Sequence, residues 1–155
     1  MVGLFDVLEH LDDPSAALAA CVRRMGPGGL IVGTVPALMT LWSDHDAAAG
    51  HRRRYDVASV QTLLTESGLD VRACRYIFQS LVPGLLVRRV VLGRGAARTP
   101  ERRRTVAHTS LRPPSPAVNA LFGGICAAER ALDRFMPLGT MPGTSVWFSA
   151  RAGRT

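Results

Sequence analysis

Two short apolar runs, residues 1–5 and 30–35, stand on either side of a segment with helical spacing, and this arrangement constrains the fold more than anything else in the chain. Between them, Asp13 can cap a helix whose first position is Pro14, where the absent N–H costs nothing. Leu18, Val22 and Met25 then share one face, up to a stop at Gly26-Pro27. Pro27-Gly28-Gly29 turns the chain into Leu30-Ile31-Val32-Gly33-Thr34-Val35, a continuous apolar run that reads as a strand buried on both faces. Strand, helix, turn and strand make a crossover, and a crossover joins parallel strands. The expected fold class is therefore α/β.

Residues 36–56 show no clear periodicity and read as a long loop, which in α/β proteins is where chemistry is placed. Asp56 then caps a helix carrying Val57, Val60, Leu63 and Leu64 on one face and stopping at Gly68. Residues 69–78 open with the alternation Leu69, Val71, Ala73 and read as a strand, and 79–92 as a helix around Pro83. In 93–116 arginines mix with four prolines and little can be buried, so a mobile connection is expected there. Helical spacing returns over 117–136 through Val118, Leu121, Phe122, Ile125, Leu132 and Phe135, and a Pro- and Gly-rich turn at 137–143 leads into a last strand at 145–149.

A chain of 155 residues with 47% hydrophobic content suits about one domain with a real core. Its net charge of +7 comes from nineteen arginines and no lysine, which reads as a coding bias. Nucleic-acid binding is not expected, because general basicity alone gives only nonspecific attraction to polyanions. Cys21, Cys74 and Cys126 are odd in number and form no C-x-x-C pair, so free thiols in a reducing cytosol are expected. Asp6 and Glu9 near the start argue against a signal peptide, and the apolar stretch at 76–87, broken by Gln79, Ser80 and Pro83, is too short to span a bilayer. A cytoplasmic protein with, at most, peripheral membrane contact is the expectation.

Motifs follow one another in a definite order: Asp6-Val7-Leu8-Glu9-His10, Asp12-Asp13-Pro14, Pro27-Gly28-Gly29, Thr34-Val35-Pro36, His45-Asp46, Gly50-His51-Arg52-Arg53-Arg54-Tyr55, Gly68-Leu69 and Pro142-Gly143-Thr144-Ser145. That series resembles the second half of class I S-adenosylmethionine-dependent methyltransferases. The resemblance implies a partial Rossmann-like fold holding strands four to seven of the family's sheet, whose order is 3-2-1-4-5-7-6, with flanking helices and a mostly parallel sheet. It divides the chain into an acceptor-side half at 1–92, the Arg/Pro-rich connection at 93–116, and the last helix and strand of the same domain at 117–155.

The family's Gly-rich turn after strand one, and its acidic residue ending strand two, have no counterpart in these residues. Gly93-Arg94-Gly95 runs on to Pro100 instead of opening a helix, so it is rejected as a cofactor loop. The chain is thus expected to be part of a methyltransferase, with the cofactor half supplied in a longer parent or in trans, and catalysis by these residues alone is not expected. The first strand would then lie on an open sheet edge, a recognised aggregation liability.

By the same resemblance, Phe5, Asp6, Glu9 and His10 lie at the carboxyl end of strand four, beside S-adenosylmethionine. His51, with His45 and Asp46, is the candidate catalytic group: methyl transfer aligns acceptor and methyl carbon, and a base is needed only where the acceptor must lose a proton. A histidine suits that task, and a neighbouring carboxylate holds its tautomer. Arg53, Arg54, Tyr55 and Trp42 are candidates for holding the acceptor, since guanidinium forks suit phosphate or carboxylate groups. The acceptor expected is a small or lipid-linked molecule. The trio His45, Asp46 and His51 lacks a further ligand, so no metal site is expected from it. The rival reading is a noncatalytic module that binds an anionic surface or a protein through Arg98–Arg112 and the apolar 78–92 segment.

Overall fold

The computed structural model describes residues 1–91, 115–136 and 138–153. Four strands form one sheet: β1 (Val2–Phe5), β2 (Leu30–Pro36), β3 (Leu69–Ile77) and β4 (Ser145–Ala152). Among the described residues five helices accompany them: α1 (Pro14–Met25), α2 (Asp44–Ala49), α3 (Val57–Glu66), α4 (Leu81–Val91) and α5 (Pro116–Leu132). Short 3-10 turns stand at Leu8–His10, Met39–Leu41 and Leu138–Thr140.

The strand order is β1-β2-β4-β3. β1 and β2 pair in parallel from Val2 opposite Ile31 to Phe5 opposite Thr34, as a crossover through α1 requires. β4 is antiparallel to both β2 and β3, so three strands run one way and the fourth runs against them. This is the order 4-5-7-6 that the resemblance implies.

The helix boundaries follow from their caps. The Asp13 carboxylate accepts from the Ala16 N–H at 2.9 Å, with Pro14 in the first turn of α1. Asp56 and Ser59 cap α3 reciprocally, the Ser59 N–H donating to Asp56 Oδ1 at 2.7 Å. Three elements differ from expectation. The loop at 36–56 holds α2 and a 3-10 turn, which short length hides from any periodicity argument. Ser115 and Pro116, assigned to the connection, instead cap and open α5, which ends at Leu132. β4 runs to Ala152, past residue 149, because Arg151 and Ala152 pair with Leu30, Asp70 and Leu69. Gly93-Arg94-Gly95 and the rest of the connection up to residue 114 lie outside the described residues.

The core sits on one face of the sheet, where Ile31, Val35, Val146, Phe148 and Ala150 pack against Leu18 of α1 and Val60 and Leu64 of α3. β2 alternates buried and half-buried residues, so it is not sealed equally on both faces as its apolar run suggests. Gly33 is required by packing: a Cβ there would stand 2.2 Å from the Leu4 carbonyl oxygen and 2.6 Å from the Phe148 ring. The absent side chain lets β1, β2 and β4 close on one another. On the opposite face α5 is tied down by an ion pair between Arg75 of β3 and Asp133, and by Glu129, which accepts from the backbone N–H groups of Gln79 at 3.1 Å and Ser80 at 2.9 Å. Among the described residues no helix is long and apolar enough to cross a membrane.

Candidate active site

The site forms where the carboxyl ends of β1 and β2 release their chains. After Phe5 the backbone turns through Asp6 at a positive φ of 52°, its N–H donating to the Thr34 carbonyl at 3.0 Å and its carboxylate accepting from the Thr34 hydroxyl at 3.2 Å. The 3-10 turn Leu8–His10 follows directly. From β2 the chain passes through α2 and returns along residues 52–55, pairing Ala37 with Tyr55 in a parallel bridge.

That returning segment is fastened onto residues 8–12. The Arg52 N–H donates to the Glu9 carbonyl at 2.8 Å, and its guanidinium donates to the His10 carbonyl at 3.0 Å and pairs with Asp12 at 2.5 Å. Arg53 donates to the Leu11 and Asp12 carbonyls, both at 3.1 Å, and the Tyr55 hydroxyl donates to the Leu8 carbonyl at 3.3 Å. Arg52, Arg53 and Tyr55 thus close two loops against each other.

Asp46 is the hub of the site and is fully buried. It closes a capping box with Ser43, whose N–H donates at 2.8 Å and whose hydroxyl donates at 2.9 Å. Arg54 adds two donors, Nε to Oδ1 at 2.8 Å and Nη2 to Oδ2 at 3.1 Å, and turns Nη1 to the Ala37 carbonyl at 2.8 Å. His51 Nδ1 lies 3.0 Å from Asp46 Oδ1. Burial works against the Asp46 charge, yet the hydrogen bonds from Arg54, then His51 and Ser43, outweigh it and hold the carboxyl below its ordinary range. An ionised carboxylate only accepts, so Nδ1 of His51 carries a proton, and that tautomer has its lone pair at Nε2.

Nε2 points at Glu9, 4.0 Å from Oε1. Glu9 is also fully buried, and neither of its carboxylate oxygens has a hydrogen-bond partner among the described residues. Burial is the chief reason that its carboxyl is pushed above the ordinary range; the Asp6 charge adds to it, while its own nearby backbone N–H and the two histidines oppose it. The His10 ring meets the His51 ring edge-on, with centroids 4.8 Å apart.

The residues singled out in the sequence therefore separate into groups. Glu9, His10, Asp46 and His51 converge, although 40 residues separate His10 from His51 in the chain. Phe5, Asp6 and His10 form an exposed lip at the end of β1, whereas the Glu9 side chain turns inward. Arg53, Arg54 and Tyr55 spend their polar atoms on protein groups. Trp42 is half-buried just before α2, and His45 stands exposed on α2, one residue from Asp46. Ser43 escaped the sequence reading; its spacing of three from Asp46 is the capping-box signal that would have found it.

Residues 1–73 match a family model described as a methyltransferase domain, a span that takes in β1, α1, β2, the whole site and α3. No curated protein matches the chain. Among solved structures, the (4+2)-cyclase SpnF aligns with 99% of this chain and 49% of its own at 14% identity and a TM-score of 0.51, a likeness of fold. A Bacillus halodurans C-125 structure named as a methyltransferase aligns at 11% identity over 99% of this chain and 70% of that one, with a TM-score of 0.49. Phosphoethanolamine N-methyltransferase 2 of Haemonchus contortus, solved with S-adenosyl-L-methionine, aligns at 12% identity and a TM-score of 0.49, covering 98% of this chain and 33% of that one. This chain thus spans about half of SpnF and a third of the Haemonchus protein. Residues 1–73, just under half of the chain, thus match a methyltransferase domain, and the strand order found above is the one that the resemblance to class I S-adenosylmethionine-dependent methyltransferases implies.

Proposed function

We propose that these residues form the acceptor-side half of an enzyme that moves a methyl group from S-adenosylmethionine to a small or lipid-linked acceptor. The observation that carries this reading is the match of residues 1–73 to the methyltransferase family, which includes the Asp46–His51 pair. S-adenosylmethionine supplies an electrophilic methyl carbon. The exposed lip of Phe5, Asp6 and His10 fits an edge contact with that molecule, and Glu9 lies buried behind it. A Gly-rich cofactor turn is lacking in the sequence, so cofactor binding calls for the family's first three strands, on a longer parent chain or a separate one.

His51 is suited to take the acceptor's proton at Nε2 while Asp46 fixes its tautomer and orientation. Methyl transfer is an in-line displacement, so the remaining work is alignment. Trp42 and the exposed His45 stand on the same loop and offer a wall for the acceptor. The test is His51→Ala in the protein as its host makes it. Turnover falls more than affinity for S-adenosylmethionine; intact turnover with weakened cofactor binding contradicts the assignment.

The exposed apolar side chains of α4 and α5 favour a second reading, peripheral binding to a membrane or a protein. Leu85, Leu86 and Val87 on α4, and Leu121, Phe122 and Leu132 on α5, all lie open. Cosedimentation with anionic liposomes that vanishes in high salt supports it, and no cosedimentation at low salt excludes the membrane.

A further inference from the structure

Glu9 presents a problem that methyl transfer does not solve. A carboxylate taken wholly out of water with no hydrogen bond is among the costliest arrangements a fold can hold, and proteins keep such groups where something else completes them. Glu9, His10 and His51 each offer one ligand atom, and these atoms all lie within 4.8 Å of one another. His51 is already set as a ligand: Asp46 occupies Nδ1, which leaves the Nε2 lone pair aimed at Glu9. A carboxylate that fixes the far nitrogen of an imidazole is the usual outer support of a metal-binding histidine.

We infer that Glu9, His10 and His51 bind a divalent transition-metal ion of the Zn2+ or Co2+ type, with Asp46 as the outer support of His51. Two imidazoles and one carboxylate suit such ions; Mg2+ and Ca2+ favour sites built of oxygen alone. Bonds to Zn2+ run about 2.0–2.2 Å, so the three ligand atoms draw somewhat closer together on binding. His10, the exposed member, is the one free to swing inward. Three protein ligands leave a position open on the His10 side, as in metal sites that admit water or a substrate oxygen. The inference does not depend on methyl transfer: an ion on Nε2 takes the lone pair that the base role requires, so the ion-bound and base forms of His51 exclude each other, and ion binding is measured directly and not through turnover.

The test uses the full untagged chain, stripped with a chelator and titrated with Zn2+ and Co2+ by calorimetry and visible absorption. One ion binds per chain, Co2+ gives the intense d–d bands of a four- or five-coordinate site without thiolate charge transfer, and excess Mg2+ does not displace it. His10→Ala weakens binding by at least about tenfold, since even outer-support losses cost about 10–100-fold. His10 is exposed, so that variant folds; Glu9→Gln, checked for folding by circular dichroism, gives the same loss. Absence of saturable one-to-one binding overturns the inference, as do thiolate bands or affinity that His10→Ala leaves unchanged, and Glu9 and His51 are then only neighbours 4.0 Å apart.

Discussion

Arg54 grips Asp46 through both carboxylate oxygens, at 2.8 and 3.1 Å, while its third donor reaches the Ala37 carbonyl at the end of β2. One guanidinium thereby joins the hub of the site to the strand that positions it. Arg54→Ala strands a buried charge and costs about 3–5 kcal/mol in urea unfolding. Arg54→Lys recovers little of this, because an ammonium group cannot reproduce the planar fork. Arg52→Ala, which loses an exposed pair with Asp12, costs under about 1 kcal/mol by the same measurement. Equal losses at 52 and 54 would contradict the assignment of Asp46 as the hub.

Glu9 is expected to behave in the opposite sense. In the metal-free protein, Glu9→Leu removes an unpartnered buried carboxylate and stabilises the fold at pH 7 by about 1–4 kcal/mol. Denaturant midpoints of the two chains, compared after chelation, decide this. A destabilised variant would mean that Glu9 has a partner in solution.

Glu129 makes the docking of α5 depend on pH. Burial raises its carboxyl, but hydrogen bonds from the Ser80 side chain and from the Ser80 and Gln79 N–H groups outweigh burial and lower it below the ordinary range. A depressed folded value means that this contribution is fully present above the unfolded value, about 4.3, and is lost as pH falls through the folded one. Protection of α5 amides from hydrogen exchange, relative to their intrinsic rates, should fall below about pH 4, an acceleration against the unprotected chain. In Glu129→Gln that acceleration should be largely absent.

Cys74 is expected to be inert. Burial pushes its thiol up to about 11, and its Sγ lies 3.7 Å from the Val57 carbonyl. At pH 8 its alkylation should be roughly 100-fold slower than in the urea-unfolded chain, read by mass spectrometry of the Cys74 peptide. Equal rates would show that β3 opens freely against α3.

Much of the scaffold was legible because it is written in local chemistry. Asp13-Pro14 and Asp56 mark helix starts through side chains that satisfy backbone N–H groups a few residues away, and apolar runs mark β1 and β2. The site was legible by composition but not by arrangement. His45 and His51 look equivalent in sequence, yet only His51 meets Asp46, because α2 carries His45 outward and the turn at Gly50, with φ of 78°, brings His51 back. The fate of the arginines was hidden for the same reason: a run of charges looks solvated until the carbonyls of residues 8–12 are placed beside it. Pairing between Glu9 and His51 depends on two loops meeting, and no local pattern encodes that.

The position of β4 has a consequence for the order of assembly. It is the last of the described strands to be synthesised, yet it lies between β2 and β3. Until it arrives, β3 has no strand to pair with, and Phe148, which fills the middle of the core, is missing. A growing chain can therefore hold α1 against β1 and β2, but the sheet is completed only when the final strand threads between two that are already made. Sequence separation of that size makes folding slow and leaves strand edges unpaired for longer, so this fold carries its greatest risk of misassembly during synthesis.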